Sequence, residues 1–316
     1  MKQLICSLVV ACLWLLVVST AQAVTPIAAC GFNTPAGGGA FELTGNLVNL
    51  GGDCITVDDS DVSIFMNGWT ITCANGQGAG DRGITIGAVS NVSVHGPGTI
   101  ADCDQGVDIA SSSGVLVREM LFTGPVSAGV GLNPRPASQG IRVTGTVCPD
   151  PPETQVNLVD NEIENTRCGI ALVSADCVNV HRNFTHDNNS DPVACFGILI
   201  RGDSDNNNIG HNVVTQNGEN LGGDAGIRVR DSSNNNIIHN NAVNDNCGDG
   251  IFISSTGNKL VKNVATGNPT ALLGPQCSVA FGFVDMRDTA AASANKWNKN
   301  NICNTSSGNA TGACPP

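Results

Sequence analysis

Apolar and polar residues alternate in short runs along most of the chain, and a glycine opens most of these runs. Residues Gly197–Asn212 contain Gly-Ile-Leu-Ile-Arg and then Asn-Asn-Asn-Ile, and Gly226–Asn241 repeats this arrangement 29 residues later. Alternation with a period of two is typical of a β-strand that buries one face. Short strands that recur every 20 to 30 residues or so, separated by Asn and Gly, predict a β-solenoid.

The glycine-led run recurs and sets the order of the predicted coils. In each run the first and third residues after the glycine are mostly apolar and are expected to point inward, whereas the second points outward. The spacings range from 23 to 34 residues, and the longer ones indicate inserted loops around residues 124–139, 147–154 and 269–279. The runs begin at Gly83, Gly106, Gly140, Gly169, Gly197, Gly226, Gly250 and Gly282.

A second pattern is an asparagine three residues after an apolar strand residue. Stacked asparagines at a bend can hydrogen-bond from coil to coil, and Asn tolerates the left-handed backbone that such a bend requires. These residues are therefore predicted to be structural. The series consists of Asn161, Asn183, Asn212, Asn241, Asn263 and Asn300.

The two patterns together predict one all-β domain, a solenoid of about nine coils with an Asn ladder. We expect an N-terminal cap at residues 24–54, the solenoid at 55–305 and a C-terminal tail at 306–316.

The Gly-Ile-x-Val, Asn-Asn-x-Ile and Asn-x-Val rhythm resembles the right-handed parallel β-helix proteins of the pectin-lyase-like superfamily. Within it, the chain is most similar to exported proteins with NosD-like repeats. The resemblance covers roughly residues 45–305 and implies a right-handed parallel β-helix. It also implies a polysaccharide ligand, because the superfamily's enzymes act mostly on acidic polysaccharides. Their catalytic motifs are not reproduced: Asp58-Asp59, Arg135-Pro136 and Asp191-Pro192 lack the required neighbours, and the chain has no Tyr.

The N-terminus has the three parts of a secretory signal peptide. A positive start at Met1-Lys2 precedes an apolar run, Leu4–Val18, and the small-residue sequence Ala21-Gln22-Ala23. This order predicts cleavage near Ala23 and a secreted protein, extracellular or periplasmic. No other stretch is long and apolar enough to cross a bilayer.

Cysteine usage agrees with export. Two of the 14 cysteines fall in the predicted signal, and an even number remains. An even count in an exported chain indicates disulfides, and no Cys-x₂-Cys pair favours a metal site. We expect Cys168 to pair with Cys195, because they occupy nearly the same place on adjacent coils. We expect Cys303 to pair with Cys314 and hold the C-terminal tail.

Charge identifies a candidate binding surface. The net charge of −12 argues against a nucleic-acid partner, and acidic side chains can hold Ca²⁺. Arg201, Arg228 and Arg230 reverse that sign locally on the outward face of the first strand of adjacent coils, and Arg142 is a further substrate-binding candidate at the same strand position as Arg228. Guanidinium groups at this spacing suit a uronate carboxylate or a sulfate. The alternative is that neighbouring aspartates simply pair with them. The neighbouring aspartates are Asp203 and Asp231, and both are also weak candidates for metal ligands.

Two further groups are weaker candidates. Asp102, Asp104 and Asp108 could bind Ca²⁺ only if the fold brings them to one side, and they lack a Gly-centred loop. His211 and His239 fall one position out of register. His181 aligns with His239 two coils away. We therefore expect no stacked His pair and do not favour a copper or zinc site.

Two functional hypotheses follow. The first is a secreted protein that binds an acidic polysaccharide and can degrade it as a lyase or hydrolase. In a lyase, Arg228 or Arg230 would act as base or as counter-ion of the carboxylate, with Asp203 or Asp231 holding a metal. The second is a non-catalytic β-helix that binds surface glycans or serves as a structural or adhesive rod at the cell surface. Ca²⁺ is the one cofactor that the acidic residues suggest, no other is predicted, and a monomer is expected.

Overall fold

The molecule consists of two parallel β-sheets wound into a stack of coils. The computed structural model describes residues 23–74, 80–124, 138–148, 155–188, 196–218, 225–268, 283–291, 294–298 and 300–308. Every strand pairing in these ranges is parallel, and pairs join one coil to the next. No helix of the described residues is long and apolar enough to span a membrane. The predicted signal peptide lies outside the described residues, apart from Ala23.

Sheet I contributes two strands to most coils. The long strands β9 and β11 run through both of its ladders and join them into one sheet of 19 strands. Its strands are β1 (Thr25–Ile27), β3 (Gly39–Leu43), β4 (Leu47–Asn49), β6 (Val62–Phe65), β7 (Thr70–Cys73), β9 (Ser90–Ala101), β11 (Ser113–Thr123), β13 (Val156–Val159), β14 (Glu162–Glu164), β16 (Val178–His181), β17 (Phe184–His186), β19 (Asn208–Gly210), β20 (Val213–Thr215), β22 (Ile237–His239), β23 (Ala242–Asn244), β25 (Lys259–Val261), β26 (Val264–Thr266), β28 (Lys296–Trp297) and β29 (Ile302–Cys303).

Sheet II contributes one strand per coil and stacks 11 strands in sequence order within the described ranges. Its strands are β2 (Phe32–Asn33), β5 (Asp53–Val57), β8 (Arg82–Gly87), β10 (Gln105–Ala110), β12 (Gln139–Thr144), β15 (Cys168–Val173), β18 (Phe196–Arg201), β21 (Ala225–Val229), β24 (Asp249–Ile253), β27 (Met286–Asp288) and β30 (Ser306–Gly308). The stack includes strands at both ends, β2 and β30, that lie outside the predicted limits of 55 and 305.

The glycine that opens each coil is required by the stacking. A Cβ atom placed on Gly83 would lie 2.6 Å from the carbonyl oxygen of Gly106 on the next coil, and one on Gly197 would lie 2.9 Å from that of Gly226. Gly250 instead faces Asp285, whose carbonyl oxygen would lie 2.5 Å from the added Cβ. The predicted start of the last coil at Gly282 is therefore wrong, because Asp285 occupies that position and Met286 pairs with Ile251.

The core is built from the apolar pair in each sheet II strand. Ile170 and Leu172 of β15, and Ile198 and Ile200 of β18, are completely buried in one continuous hydrophobic cluster. Their stacking in register buries like side chains against one another from coil to coil. The inward alternation predicted from the sequence is thus confirmed.

The Asn ladder exists, with one register error in its prediction. Asn161, Asn183, Asn212, Asn241 and Asn263 each donate Nδ2 to the Oδ1 of the next ladder residue at 2.9–3.1 Å. The final acceptor is Asn301, whereas the predicted Asn300 is exposed and its Oδ1 accepts from the backbone of Lys262. The prediction placed the ladder residue three positions after the apolar strand residue, as Asn263 follows Leu260. The bend after Trp297 is one residue longer, so the ladder residue there is Asn301.

Two more ladders lie at the other bends of the coil. One of them runs from Asn188 through Asn217, Asn246 and Asn268 to Asp285 by side-chain bonds of 2.9–3.2 Å. The other runs through Asn207, Asn236, Asn258 and Asn295. The bends are therefore held by buried amides that satisfy backbone groups which the turn leaves unpaired.

Between cysteines that are both described, three disulfides join adjacent coils: Cys30–Cys54, Cys73–Cys103 and Cys148–Cys177. The general expectation of disulfides is met. Cys303 is also disulfide-bonded, as is Cys247. Cys195 and Cys314 lie outside the described residues, so the pairings Cys168–Cys195 and Cys303–Cys314 stay predictions.

Candidate functional site

The predicted arginines lie on the outward face of sheet II, but they form two groups. Arg142 neighbours Asp108 on the previous coil and Ala171 on the next. Ala171 is followed by Leu199 and then by Arg228. Three coil steps of ~4.8 Å therefore separate Arg142 from Arg228, a distance of about 14 Å. Arg142 therefore lies apart from the predicted cluster of Arg201, Arg228 and Arg230.

Arg228 belongs to an aromatic stack on this face. Its guanidinium lies 5.2 Å from the ring centre of Phe196 and 4.8 Å from that of Phe252. Arg287 lies over the same Phe252 ring at 5.8 Å. These are cation–π contacts, and they hold Arg228 between two phenyl rings. Phe196 and Leu199 are nearly fully buried although they point away from the core, so part of this face is closed to a ligand.

Arg201 and Arg230 differ in their partners. Arg230 lies 3.3 Å from the carboxylate of Asp231, as the ion-pair alternative expects. The Nε atoms of both Arg201 and Arg230 are buried, and neither makes a hydrogen bond to an acceptor in the described ranges, so the two residues differ only in the Asp231 ion pair. Asp203 is held by its backbone N–H, which donates to the Asp231 carbonyl at 2.9 Å. A buried N–H donor without an acceptor is costly and is typical of a group that meets water or a ligand.

The other arginine group surrounds a buried carboxyl. Asp108 is 7% exposed, its Oδ2 lies 3.2 Å from Arg82, and its Oδ1 has no hydrogen-bond partner among the described residues. Burial raises the pKa of Asp108, and the nearby Arg142 and Arg82 oppose that rise without cancelling it. A carboxyl of raised pKa beside a guanidinium has the properties of a general base or acid.

The proposed Ca²⁺ residues do not cluster. Among the described residues, the group whose ligand atoms all lie within 4.8 Å of one another is Glu162, Glu164 and His186, and it contains none of the predicted aspartates. Asp104 accepts instead from the backbone N–H of Gly80 at 2.7 Å. Metal ligation by Asp203 and Asp231 stays a prediction.

Sequence reasoning missed the group at His186. Its Nε2 lies 3.1 Å from Glu162 and 3.8 Å from Glu164, and its Nδ1 lies 2.8 Å from Asp187. Burial lowers the pKa of His186, but the hydrogen bonds to Asp187 and Glu162 outweigh it and leave the pKa above its ordinary value. The signal was present in the Asn ladder, because Glu164 and His186 each follow a ladder residue by three positions.

The other histidines of the described ranges form no stacked pair, as expected, but their rings come closer together than their register suggests. His181 and His239 align two coils apart, as predicted, but the residue between them is Gly210. Because Gly210 has no side chain, the two rings meet with their centres 5.6 Å apart, and His211 reaches to 5.3 Å of His239. Burial lowers the pKa of His181 and of His239, and the neighbouring histidines lower both further.

Comparison with known proteins supports the architecture. Residues 145–282 match the family model described as a right handed beta helix region. The molecule is a right-handed parallel β-helix protein. No curated protein sequence matches the chain significantly.

Several solved structures share this β-helix fold at low sequence identity. The Dettilon tailspike protein has a TM-score of 0.56 at 13% identity, covering 86% of this chain and 52% of its own. The tailspike of E. coli bacteriophage HK620 has a TM-score of 0.56 at 12% identity, and the match covers 93% of this chain and 61% of the tailspike. The periplasmic alginate epimerase AlgG has a TM-score of 0.50 at 15% identity, and the match covers 81% of this chain and 64% of the epimerase. The β-helix therefore spans less than two thirds of each of these three proteins.

Proposed function

We propose that this β-helix is exported and binds an acidic polysaccharide along the outward face of sheet II, with Arg201 as the principal contact for a carboxylate. The observation that carries the proposal is the buried Arg201 Nε without an acceptor in the described ranges. A uronate carboxylate would supply that acceptor, and guanidinium–carboxylate hydrogen bonds are among the stronger ones in proteins. Arg230 lies on the next coil, and its exposed ion pair with Asp231 is weak enough to exchange for a ligand.

Two general features support this choice of ligand and location. Three disulfides between coils fit an oxidising compartment, as the predicted signal peptide does. A protein of similar fold is an alginate epimerase, and alginate is an acidic polysaccharide. The fold itself carries no chemistry, so the argument rests on the arginine face.

The binding test compares two variants that each remove one positive charge. Affinity electrophoresis in gels containing polygalacturonate, alginate or neutral dextran measures binding of the wild type, Arg201→Ala and Arg182→Ala. Arg182 is exposed and paired with Asp160 on sheet I, so it is the matched control. We expect Arg201→Ala to weaken binding to an acidic gel about tenfold or more, from the ~1.5–3 kcal/mol of a charged hydrogen bond. Equal retardation of both variants would refute the assignment of Arg201.

The enzymatic form of the proposal places the base at Asp108. A lyase needs a base near the C5 proton and a cation on the carboxylate, and Asp108 and Arg142 offer these groups on adjacent coils. The test is absorbance at ~235 nm from unsaturated uronates formed on the acidic polysaccharide that binds. Asp108→Asn should abolish the absorbance change while leaving retardation in the gel intact.

The second candidate is the structural or adhesive rod. It is favoured by the burial of Phe196 and Leu199 on the same face, because such packing stabilises a surface and closes it to ligands. Absence of retardation in every acidic gel, together with no absorbance change, would select the rod.

A further inference from the structure

We propose that Glu162, Glu164 and His186 form a binding site for a divalent transition-metal ion on the outward face of sheet I, with Asp187 as a positioning residue. The site is separate from the arginine face, which lies on sheet II. It is built by two adjacent coils, because β14 pairs with β17 and places Glu164 directly beside His186.

The distances between the donor atoms suit one small ion. The three ligand atoms lie within 4.8 Å of one another, with the His186 Nε2 3.1 Å from Glu162 and 3.8 Å from Glu164. Donors that hold Zn²⁺ tetrahedrally at ~2.1 Å stand about 3.4 Å apart. An ion placed among the three atoms therefore replaces their present contacts with small side-chain shifts.

The histidine ring is already oriented for ligation. Asp187 lies 2.8 Å from Nδ1, and the ring of Phe184 stacks on the imidazole at 4.1 Å between centres and 24° between planes. These contacts direct Nε2 towards the two glutamates. A carboxylate on the far nitrogen is the usual outer partner of a metal-bound histidine, because it fixes the tautomer and raises the basicity of the ligand.

The charge balance favours a cation. The carboxylates of Glu162, Glu164 and Asp187 surround one imidazole. Among the described residues, these carboxylates form no ion pair with an arginine or lysine. The neighbour of His186 on the next coil is Thr215, which is neutral. A mixed imidazole and carboxylate set suits Zn²⁺, Mn²⁺ or Co²⁺ better than Ca²⁺, which prefers oxygen ligands alone.

The histidine cluster on the neighbouring ladder is the rival location. His239 has both ring nitrogens engaged, with Asn208 at 2.9 Å and Asn240 at 2.8 Å. Its nitrogens and those of His181 and His211 do not converge to within 4.8 Å, unlike the group at His186. His239→Ala is consequently the matched control, since it removes one imidazole from the same sheet.

Isothermal titration of the full mature chain, stripped with EDTA, with Zn²⁺ and separately with Co²⁺ tests the site. We expect one equivalent to bind the wild type and the His239→Ala variant, and no stoichiometric binding by His186→Ala. Asp187→Asn should keep one equivalent with affinity reduced 10- to 100-fold, the usual effect of losing an outer-shell partner.

A spectroscopic readout and a second ligand variant guard against misfolding. Bound Co²⁺ should give visible d–d absorption in the wild type that Glu164→Gln weakens, while circular dichroism of both proteins stays the same. Binding that survives in His186→Ala, or that disappears only in His239→Ala, would overturn the proposal. Binding of Ca²⁺ as tight as that of Zn²⁺ would also contradict it.

Discussion

Replacing Asn212 by Ala tests whether the asparagine ladders hold the coils together. Asn212 is 1% exposed and makes four ladder contacts. Its Nδ2 donates to the Val180 carbonyl at 2.9 Å and to the Asn241 Oδ1 at 3.0 Å. Its Oδ1 accepts from the backbone N–H of Asn183 at 2.9 Å and from the Asn183 Nδ2 at 3.1 Å.

The expected cost follows from the groups that lose a partner. The Asn183 Nδ2 keeps other acceptors, the carbonyls of Leu158 and His181, and the Asn241 Oδ1 still accepts from the backbone of Asn212. The backbone N–H of Asn183 and the carbonyl of Val180 lose the Asn212 side chain. At ~1–3 kcal/mol for each buried polar group left unsatisfied, the free energy of unfolding should fall by about 2–6 kcal/mol.

Urea unfolding followed by circular dichroism, with hydrogen exchange to localise the loosened coil, measures the effect. Exchange is needed because long repeat arrays can unfold in parts. Asn179→Ala is the control, since Asn179 is half-buried on the outward face and its side chain donates to the Asn157 and Gln155 side chains. A loss of less than ~1 kcal/mol in Asn212→Ala, or one equal to the control, would refute the role given to the ladder.

Three further predictions concern stacking, crosslinking and pH. Gly197→Ala should lower the free energy of unfolding by about 1–3 kcal/mol in urea melts, because the added methyl group enters a filled space between coils. The Cys148–Cys177 disulfide spans 29 residues, so replacing both cysteines by Ala should lower the free energy of unfolding by about 3–4 kcal/mol from chain entropy, measured by urea melts without reductant. Adding a reductant should destabilise the wild type more than this variant. The lowered pKa values of His181 and His239 mean that the unfolded chain binds more protons just below pH 6.5, so these residues make stability rise with pH in that range. The increase in the free energy of unfolding between pH 5 and pH 7.5 should be smaller in the variant that carries both His181→Gln and His239→Gln.

The solenoid was predictable because it repeats. The Gly position and the apolar pair recur in most coils, so a single exception does not obscure the pattern. The buried pairs of β15 and β18 are where the period predicts them. The prediction failed where the repeat itself varies. The last run was predicted to begin at Gly282 because a glycine begins the earlier runs, whereas in the structure it is Asp285 that lies against Gly250.

The site was harder to predict because outward residues obey no repeat. The glycine spacing did place Ala171 and Leu199 between Arg142 and Arg228 in one column, and the strand register agrees, but the spacing did not show which arginines find partners. His181 and His239 were judged too far apart because spacing along the chain does not show that Gly210 leaves a gap which both rings fill. Contacts of this kind depend on side-chain size two coils away, which periodicity does not encode.

The ladder also gives the stack a direction, because each side-chain amide from Asn161 to Asn263 donates to the Oδ1 of the ladder residue on the next coil and to a backbone carbonyl of the preceding coil. A single coil can be cut out with the ladder contacts of its neighbours still matched, although outward contacts such as the Phe196–Arg228–Phe252 stack are lost. Deleting residues 212–240 would bring Asn183 against Asn241 with donor and acceptor still matched. The opening glycines and the other two bend ladders keep the same spacing across that join. The coil is thus a modular building block, and rods of different length can be assembled by excising or duplicating whole blocks.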